Sequence, residues 1–184
     1  MPRLLGTSIM LREYRREDLP WIRQWVNDPD IVVHLSDIFL YPHAEQSTES
    51  YVESMLEGRS DSKGFVIADL ATEAYIGQIS LDAIDWKNRV GKIGIVIGSQ
   101  EHMGRGFGTE AMKLLVDFAF REMNLNRLEL EVYDFNERAI RSYLSCGFVQ
   151  EGRLRERQYK KGRYWDVIQM GLLKSDWKKG TDRP

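Results

Sequence analysis

The chain has 184 residues and a mass of 21.5 kDa, and 42% of its residues are hydrophobic, 11% aromatic and 29% charged. These values predict one globular domain over residues 1–184 and exclude disorder, collagen and coiled coil as descriptions of the whole chain. The 26 basic and 28 acidic residues give a net charge of −2, so no basic excess indicates a nucleic-acid or membrane partner.

The cysteine content narrows the class of protein further. The single cysteine excludes an internal disulfide and a cysteine zinc cluster. The sequence contains no apolar run of membrane-spanning length. We therefore expect a cytoplasmic protein that binds no metal.

The first part of the chain is predicted to form a strand followed by two helices. Residues 8–14 alternate in polarity as a strand does, and from Asp18 apolar residues recur at helical spacing until an Asn-Asp-Pro sequence at 27–29. A second helical pattern covers residues 47–56 and ends at Gly58.

The rest of the chain combines strands with two further helices. The strands are predicted at 65–68, 75–84, 90–97, 127–133, 154–159 and 164–173, and the helices at 109–123 and 136–146. Short connections between the first three strands and between the last two favour antiparallel hairpins. The strand, helix and strand from 90 to 133 form a βαβ unit, whose strands are parallel. The predicted fold class is α/β (α+β), with a mixed, mostly antiparallel central sheet and flanking helices.

A glycine-rich loop precedes the best-defined helix. Gly104, Gly106 and Gly108 alternate between a predicted strand and the helix N-terminus, where unpaired N–H groups and the helix dipole favour an anion. Arg105 would add positive charge. A tight turn alone would need one glycine, so the loop predicts a site for a phosphate or pyrophosphate.

Two other nucleotide-binding motifs are alternative interpretations of this glycine-rich loop. The P-loop pattern is absent. Residues 106–111 fit the Rossmann pattern G-x-G-x-x-A, and Glu131 lies near the position of its ribose-binding acid. A Rossmann fold needs further βαβ repeats, whereas this chain continues into a short helix and a hairpin. A nucleotide-dependent oxidoreductase therefore remains a minor alternative.

Two ordered motifs resemble the GNAT superfamily of acetyl-CoA-dependent N-acetyltransferases. The family's loop signature, a Gln or Arg followed after two residues by Gly-x-Gly or Gly-x-Ala, is met at Gly106 and Gly108, with Met103 at the Gln or Arg position. The second motif is matched in order by Asn136, Ala139, Tyr143, Gly147 and Phe148. Segments 151–155 and 162–168 look like the branch that holds ribosomal-protein and spermidine N-acetyltransferases.

The resemblance implies where acetyl-CoA binds. The two parallel strands of a GNAT-like sheet splay apart, and the pantetheine arm enters the gap between them. The implied contacts are Val96, Ile97 and Gly98 along pantetheine, Met103, Gly104, Arg105, Gly106, Phe107, Gly108 and Thr109 in the pyrophosphate loop, and Asn136, Ala139 and Tyr143 on the following helix. The resemblance also implies a homodimer or a higher homo-oligomer.

Acetyl transfer to an amine needs an acid for the leaving thiolate and a base for the amine proton. By the family match Tyr143 is the expected general acid, although its spacing alone also fits a core tyrosine. Glu129 and Glu131 share one face of their predicted strand and are candidate bases, while a solvated polar face explains them equally well. Relatives in the branch often carry an acid where this chain has Lys92.

Other reactive side chains suggest weaker alternatives. Cys146, three residues after Tyr143, would permit a covalent acetyl-cysteine route, but a small core residue is the favoured interpretation. His34, His43 and His102 lack metal-ligand spacing and are predicted to lie on the surface.

The predicted acceptor is a primary amine, either a peptide N-terminus or a small amine. A polyamine would require a dense acidic cluster, and only Asp37 lies where the polyamine branch would carry several acids. A polyamine acceptor stays open as an alternative. A non-catalytic CoA-binding regulator, which would keep the glycine loop, also stays open.

Overall fold

The computed structural model describes residues 3–181 as a single β-sheet with helices on both faces. The strands are β1 (Leu4–Leu5), β2 (Ile9–Arg12), β3 (Lys63–Asp69), β4 (Tyr75–Asp85), β5 (Val90–Ile97), β6 (Arg127–Tyr133), β7 (Val149–Lys160) and β8 (Arg163–Leu173). The helices are α1 (Leu19–Trp25), α2 (Pro29–Val32), α3 (Glu45–Leu56), α4 (Phe107–Arg121), α5 (Glu137–Ser145) and α6 (Lys174–Thr181).

The strand order is β1-β2-β3-β4-β5-β6-β8-β7. Every neighbouring pair is antiparallel except β5 and β6, which are parallel and are connected through α4. A helical crossover is the connection that a parallel pair requires. The predicted fold class, a mixed and mostly antiparallel sheet, is confirmed.

The parallel pair is joined only at its beginning. Its register covers Val90↔Arg127, Gly91↔Leu128 and Lys92↔Glu129 and then stops, although β5 runs on to Ile97 and β6 to Tyr133. On its outer edge each of these strands remains paired, β5 with β4 and β6 with β8. Beyond Lys92 the two strands therefore leave a gap that narrows to an apex, as the resemblance implied.

The two faces of the sheet have separate hydrophobic cores. One core packs the apolar stripe of α4 on the sheet, and α5 lies against it through half-buried side chains. The other core lies under α1–α3 and includes Ile22, Trp25 and Val52. Because strand residues alternate between the faces, Leu128, Leu130 and Val132 of β6 join the α4 core while its other side chains face α1–α3.

A buried ion pair attaches the α1 region to the sheet. Two nitrogens of the Arg12 guanidinium donate to the two Asp18 carboxylate oxygens at 2.9 and 2.7 Å, and both side chains are 3% exposed. The same carboxylate accepts the backbone N–H of Arg15 at 2.8 Å. Such a two-point pair fixes the direction in which the chain enters α1.

The main differences from prediction are at element boundaries. Helix α4 begins at Phe107 rather than at 109, and β7 begins at Val149 rather than at 154. The single-turn helix α2, the two-residue strand β1 and the C-terminal helix α6 had no predicted counterpart. Short elements such as α2 and β1 depend on their neighbours more than on their own residue pattern.

Candidate functional site

The backbone of β5 presents alternate residues to the gap. The N–H of Gly98 donates to the carbonyl of Ile76 at 2.8 Å, which directs the polar backbone groups of Gly98 towards β4. Because the direction alternates along the strand, the backbone N–H and C=O groups of Val96 also point towards β4, and those of Ile95 and Ile97 point towards β6. Since β6 does not pair there, the N–H and C=O groups of Ile95 and Ile97 face the gap. Of the three β5 residues predicted to contact pantetheine, Ile97 has the suitable backbone orientation.

The glycine loop has the backbone conformation that its sequence suggested. Gly104 and Gly106 have φ angles of +74° and +86°, in the left-handed region that glycine adopts most easily. Gly106 is the N-cap of α4 and offers no side chain to the first turn of the helix. The N–H groups of that turn therefore remain available to an anion. Gly108 has no positive φ and lies 3.8 Å, measured from an added Cβ, from Ile95 and Ile97 side-chain atoms.

The residues around the loop add positive charge. The Arg105 guanidinium lies over the Phe107 ring, 5.0 Å from its centroid. Met103, at the position where the family has Gln or Arg, is half-buried, and its sulfur accepts a contact from the Arg138 guanidinium at 3.0 Å. Helix α5 thus supplies a cation, Arg138, beside Met103, which stands where the family has Gln or Arg.

A cavity of about 580 Å³ adjoins this loop at the wide end of the gap. Its walls come from the α2 region, the start of the glycine loop, the residues around the α5 N-terminus and the β7–β8 hairpin. Arg138, Lys160 and Lys161 line it against one carboxylate, Asp30, which accepts a hydrogen bond from Gln100 at 3.0 Å. The excess of cations makes this end of the gap suited to an anion.

Helix α5 places Asn136 and Tyr143 as the motif predicted. Asn136 is the N-cap, and its side-chain oxygen accepts the N–H of Ala139 at 3.3 Å, which leaves its amide nitrogen for other contacts. Tyr143 packs with Ala139 against the α4 core, and its ring meets Phe148 edge-on at 6.4 Å. Burial, with a smaller contribution from the Cys146 sulfur, raises the pKa of Tyr143 to about 12. The phenol is therefore protonated at neutral pH.

Cys146 and Thr109 join α4 to α5. The Thr109 hydroxyl lies 2.7 Å from that of Ser142, and the Cys146 thiol donates to the Thr109 carbonyl at 3.7 Å. Burial is the largest cause of a raised pKa for Cys146. A thiol with a raised pKa is a poor nucleophile at neutral pH.

Both candidate bases on β6 take part in ion pairs. The Glu129 carboxylate accepts a hydrogen bond from the Arg127 guanidinium at 3.2 Å, and the Glu131 carboxylate accepts one from the Lys92 ammonium at 3.1 Å. The Lys92–Glu131 pair spans the two strands beside the last register position of the parallel pair. Both glutamates lie on the α1–α3 face, but each is already ion-paired with a basic side chain.

The three histidines that were predicted to lie on the surface are each partly exposed and partly buried. His34 stacks on Phe135 with ring centroids 5.5 Å apart and lines the basic cavity. Burial, together with the charges of the cavity cations, lowers the pKa of His34. His43 and His102 contact Phe39 and Phe107. Among these three contacts, the one between His34 and Phe135 joins distant segments, which the sequence pattern did not connect.

Within residues 3–181, no three His, Cys, Asp or Glu side chains are grouped so that they could hold a metal ion. No helix in that same part of the chain is long and apolar enough to cross a bilayer.

Comparison with protein families identifies this arrangement. A family model described as "Acetyltransferase (GNAT) domain" matches residues 8–149. The chain belongs to this family. The match includes the glycine loop, the gap-forming strands and Tyr143, so the resemblance drawn from the two motifs is confirmed.

Relatives of this GNAT chain are similar over most of their length. Spermidine N(1)-acetyltransferase of Vibrio cholerae is 30% identical over 175 residues, which are 94% of this chain and 97% of the relative. YdaF of Bacillus subtilis, which bears the name of a ribosomal N-acetyltransferase, is 31% identical over 134 residues, 73% of each chain. The crystal structure of the Vibrio enzyme in complex with CoA and spermine has a TM-score of 0.82, with 94% of this chain and 99% of that chain covered.

These findings establish the general activity of the GNAT chain. It is an N-acetyltransferase that uses acetyl-CoA and an amine acceptor. The open gap, the glycine loop and the basic cavity fit a long co-substrate with a negatively charged linker. Sequence reasoning missed the gap-facing backbone of Ile95 and the cation of Arg138, although strand alternation could have indicated the first.

Proposed function

We propose that this acetyltransferase moves the acetyl group directly to a primary amine while both substrates are bound. The observation that carries the proposal is the gap, which begins at the glycine loop and closes at Lys92 and Glu129. A linker held at the loop directs an extended arm along β5, so the thioester lies towards the closed end. Acetyl-CoA supplies an acetyl group already activated as a thioester.

The residues along the gap have separate roles in this proposal. The N–H groups of residues 104–109 bind the pyrophosphate, with Arg105 and Arg138 adding positive charge. The backbone of Ile95 and Ile97 pairs with the pantetheine amides as a neighbouring strand would. A backbone N–H of β5 that faces the gap, such as the N–H of Ile97, stabilises the negative charge that develops on the acetyl oxygen.

We assign Tyr143 the role of general acid. Its phenol is protonated at neutral pH, and no atom within residues 3–181 hydrogen bonds its hydroxyl, so the proton is available to the leaving thiolate. A covalent route through Cys146 is disfavoured because the pKa of that thiol is raised and its proton is directed at the Thr109 carbonyl.

The acceptor proposed here is a small primary amine or a peptide N-terminus. The acceptor would approach over the α1–α3 face, where β4 and β6 carry Asp82, Glu129 and Glu131. A polyamine is the second candidate, favoured by those carboxylates and by the relatives named spermidine N-acetyltransferases. Asp37, the acid expected to mark a polyamine site, instead accepts a hydrogen bond from the Gln158 side-chain amide at 2.7 Å. Its carboxylate also lies 3.3 Å from the Lys160 ammonium.

An amine panel tests the proposal. Release of CoA thiol would be followed with the wild-type protein, acetyl-CoA and, in turn, spermidine, spermine, aliphatic monoamines and short peptides with free N-termini. Thiol release with at least one amine, absent with the same compound N-acetylated, is the expected result. Stabilisation against heat by acetyl-CoA with no thiol release on any amine would instead indicate a regulator, and stabilisation by NAD alone an oxidoreductase.

Two further properties complete the proposal. The single cysteine supports a cytoplasmic location. The resemblance to the spermidine and ribosomal-protein branch supports assembly into a homodimer or a higher homo-oligomer, and one domain over residues 1–184 as the functional unit.

A further inference from the structure

The strand β4 contains a bulge directly beside the closed end of the gap. The β4–β5 register runs through Ser80↔Gly94 and Leu81↔Ile93 and resumes at Ala83↔Lys92, so Asp82 has no partner on β5. An extra residue of this kind bends a strand and redirects a side chain. Here it brings the Asp82 carboxylate over the neighbouring strand.

The two oxygens of the Asp82 carboxylate have different surroundings. Oδ1 accepts hydrogen bonds from the hydroxyls of Ser62, at 3.1 Å, and Ser80. Oδ2 lies over Gly94, where an added Cβ would come within 2.3 Å of it. Within residues 3–181 no group donates a hydrogen bond to Oδ2. Glycine at position 94 therefore makes room for this oxygen beside the closed end of the gap.

Asp82 differs from the two glutamates of this face in its charge partners. Glu129 and Glu131 each form an ion pair, with Arg127 and Lys92, whereas no cation within residues 3–181 is paired with Asp82. The charge of Asp82 contributes to the raised pKa values of Tyr14, two residues after β2, and of Tyr51 in α3, after the larger effects of burial and their own contacts. Besides Asp82, the titratable groups on this side of the sheet include the two neutral phenols, the Arg127–Glu129 pair and the Lys92–Glu131 pair.

The position of Gly94 relates this carboxylate to the reaction. Gly94 is two residues beyond Lys92, the last β5 residue in register with β6, so it flanks the apex of the gap. Pantetheine paired with Ile95 and Ile97 would end beside it. Asp82 lies on the α1–α3 face of that point, while Tyr143 belongs to the opposite face.

We propose that Asp82 binds the acceptor amine and takes its proton, an inference that rests on the function proposed above. The amine nitrogen forms a bond to the acetyl carbon, and the carbon–sulfur bond breaks. The proton released by that nitrogen passes to Oδ2 of Asp82 and then to solvent. The thiolate receives the proton of Tyr143, which regains one from solvent. The products are the acetylated amine and CoA thiol, so atoms and charge balance.

Asp82→Asn tests the assignment, with Asp61→Asn as the control because Asp61 is an exposed carboxylate just before Ser62. At neutral pH we expect kcat for the best amine of the panel to fall about 10²- to 10⁴-fold in Asp82→Asn, the usual range for loss of a general base. The loss should shrink as pH rises and more amine is unprotonated. CoA affinity should stay at the wild-type value, and Asp61→Asn should match wild type throughout.

Gly94→Ala provides a second test that leaves the carboxylate in place. Its Cβ should displace Oδ2 and lower kcat in the wild-type background, but change kcat little in the Asp82→Asn background. An unchanged kcat in Asp82→Asn, a raised KM for the amine alone, or equal effects of Gly94→Ala in both backgrounds would overturn the assignment. Failure of the proposed function would appear separately, as a wild-type protein inactive on every amine.

Discussion

At the scale of single residues, the two ends of acetyl transfer are assigned to groups on opposite faces of the sheet. Tyr143 belongs to the α5 side, in contact with the α4 core, and Asp82 to the α1–α3 side. A donor for sulfur on one face and an acceptor for the amine proton on the other allow attack and departure to proceed in one direction through the gap.

Replacing Tyr143 with Phe tests the donor. We expect kcat to fall about 10²- to 10⁴-fold, because the leaving thiolate loses its acid, while CoA affinity stays close to wild type. The pKa of about 12 places deprotonation of Tyr143 above the ordinary assay range, so its titration should not limit wild-type activity below about pH 11.

The control for this substitution is Tyr164→Phe, which removes a hydroxyl from an exposed position on the β7–β8 hairpin. It should retain wild-type turnover. Steady-state kinetics and a direct binding titration with CoA separate the two effects. Turnover in Tyr143→Phe equal to that of the control would rule out the acid assignment.

The sequence predicted individual residues well where an ordered motif included them. Asn136 caps α5 and Tyr143 follows on the same helix as expected, because capping and helical spacing are local properties. The burial of His34 and the role of Asp82 were not predicted, since both depend on contacts between segments that are separate in the sequence. His34 became half-buried through Phe135, which is about 100 residues away in the chain.

At the scale of elements, the start of α4 is the feature on which co-substrate binding depends. Gly106 caps the helix at a φ of +86° and leaves the N–H groups of the first turn unpaired. The left-handed conformation costs roughly 1–2 kcal/mol for a residue with a Cβ. A β-branched residue there would either strain the loop or tilt those N–H groups away from the pyrophosphate.

Replacing Gly106 with Val should therefore weaken CoA binding about tenfold or more, the loss expected when one charge-assisted hydrogen bond is removed. Gly58→Val is the matched control, because Gly58 has a φ of +66° and, like Gly106, nothing within 4 Å of an added Cβ. Both variants should lose similar thermal stability. Calorimetric titration with CoA is the measurement, and equal affinities for the two variants would contradict the role of the loop.

Elements were predictable from sequence where their patterns were long. Helix α4 and strands β5, β6 and β8 lie within a few residues of their expected bounds, since each buries a continuous apolar stripe. The bulge in β4 was not predictable, because it exists only relative to the register of β5. The same reason explains why the backbone direction of Val96 and Gly98 could not be known before the strand pairing.

At the scale of the whole molecule, the sheet separates two ligands of opposite charge. The wide end of the gap carries the glycine loop and the cations of the basic cavity, which suit an anionic linker. The closed end has carboxylates on its α1–α3 face, which suit an ammonium group. The near-neutral net charge of −2 conceals this division. Composition alone therefore gave no indication of either ligand.

The fold class followed from sequence because a βαβ unit between hairpins permits few topologies. The opening between β5 and β6 came from the resemblance and not from composition or periodicity, since no residue pattern reports where pairing stops. The choice of acceptor depends on side chains from separate elements, including β4 and β6, and a linear pattern does not show which of them meet.

The most direct measurement is a crystal structure of the protein with CoA bound. We expect the pyrophosphate against the N–H groups of residues 104–109, pantetheine along Ile95 and Ile97, and the sulfur at hydrogen-bonding distance, about 3.5 Å or less, from the Tyr143 hydroxyl. A pyrophosphate bound away from that loop, or a sulfur on the far side of β5 from Tyr143, would contradict this expectation.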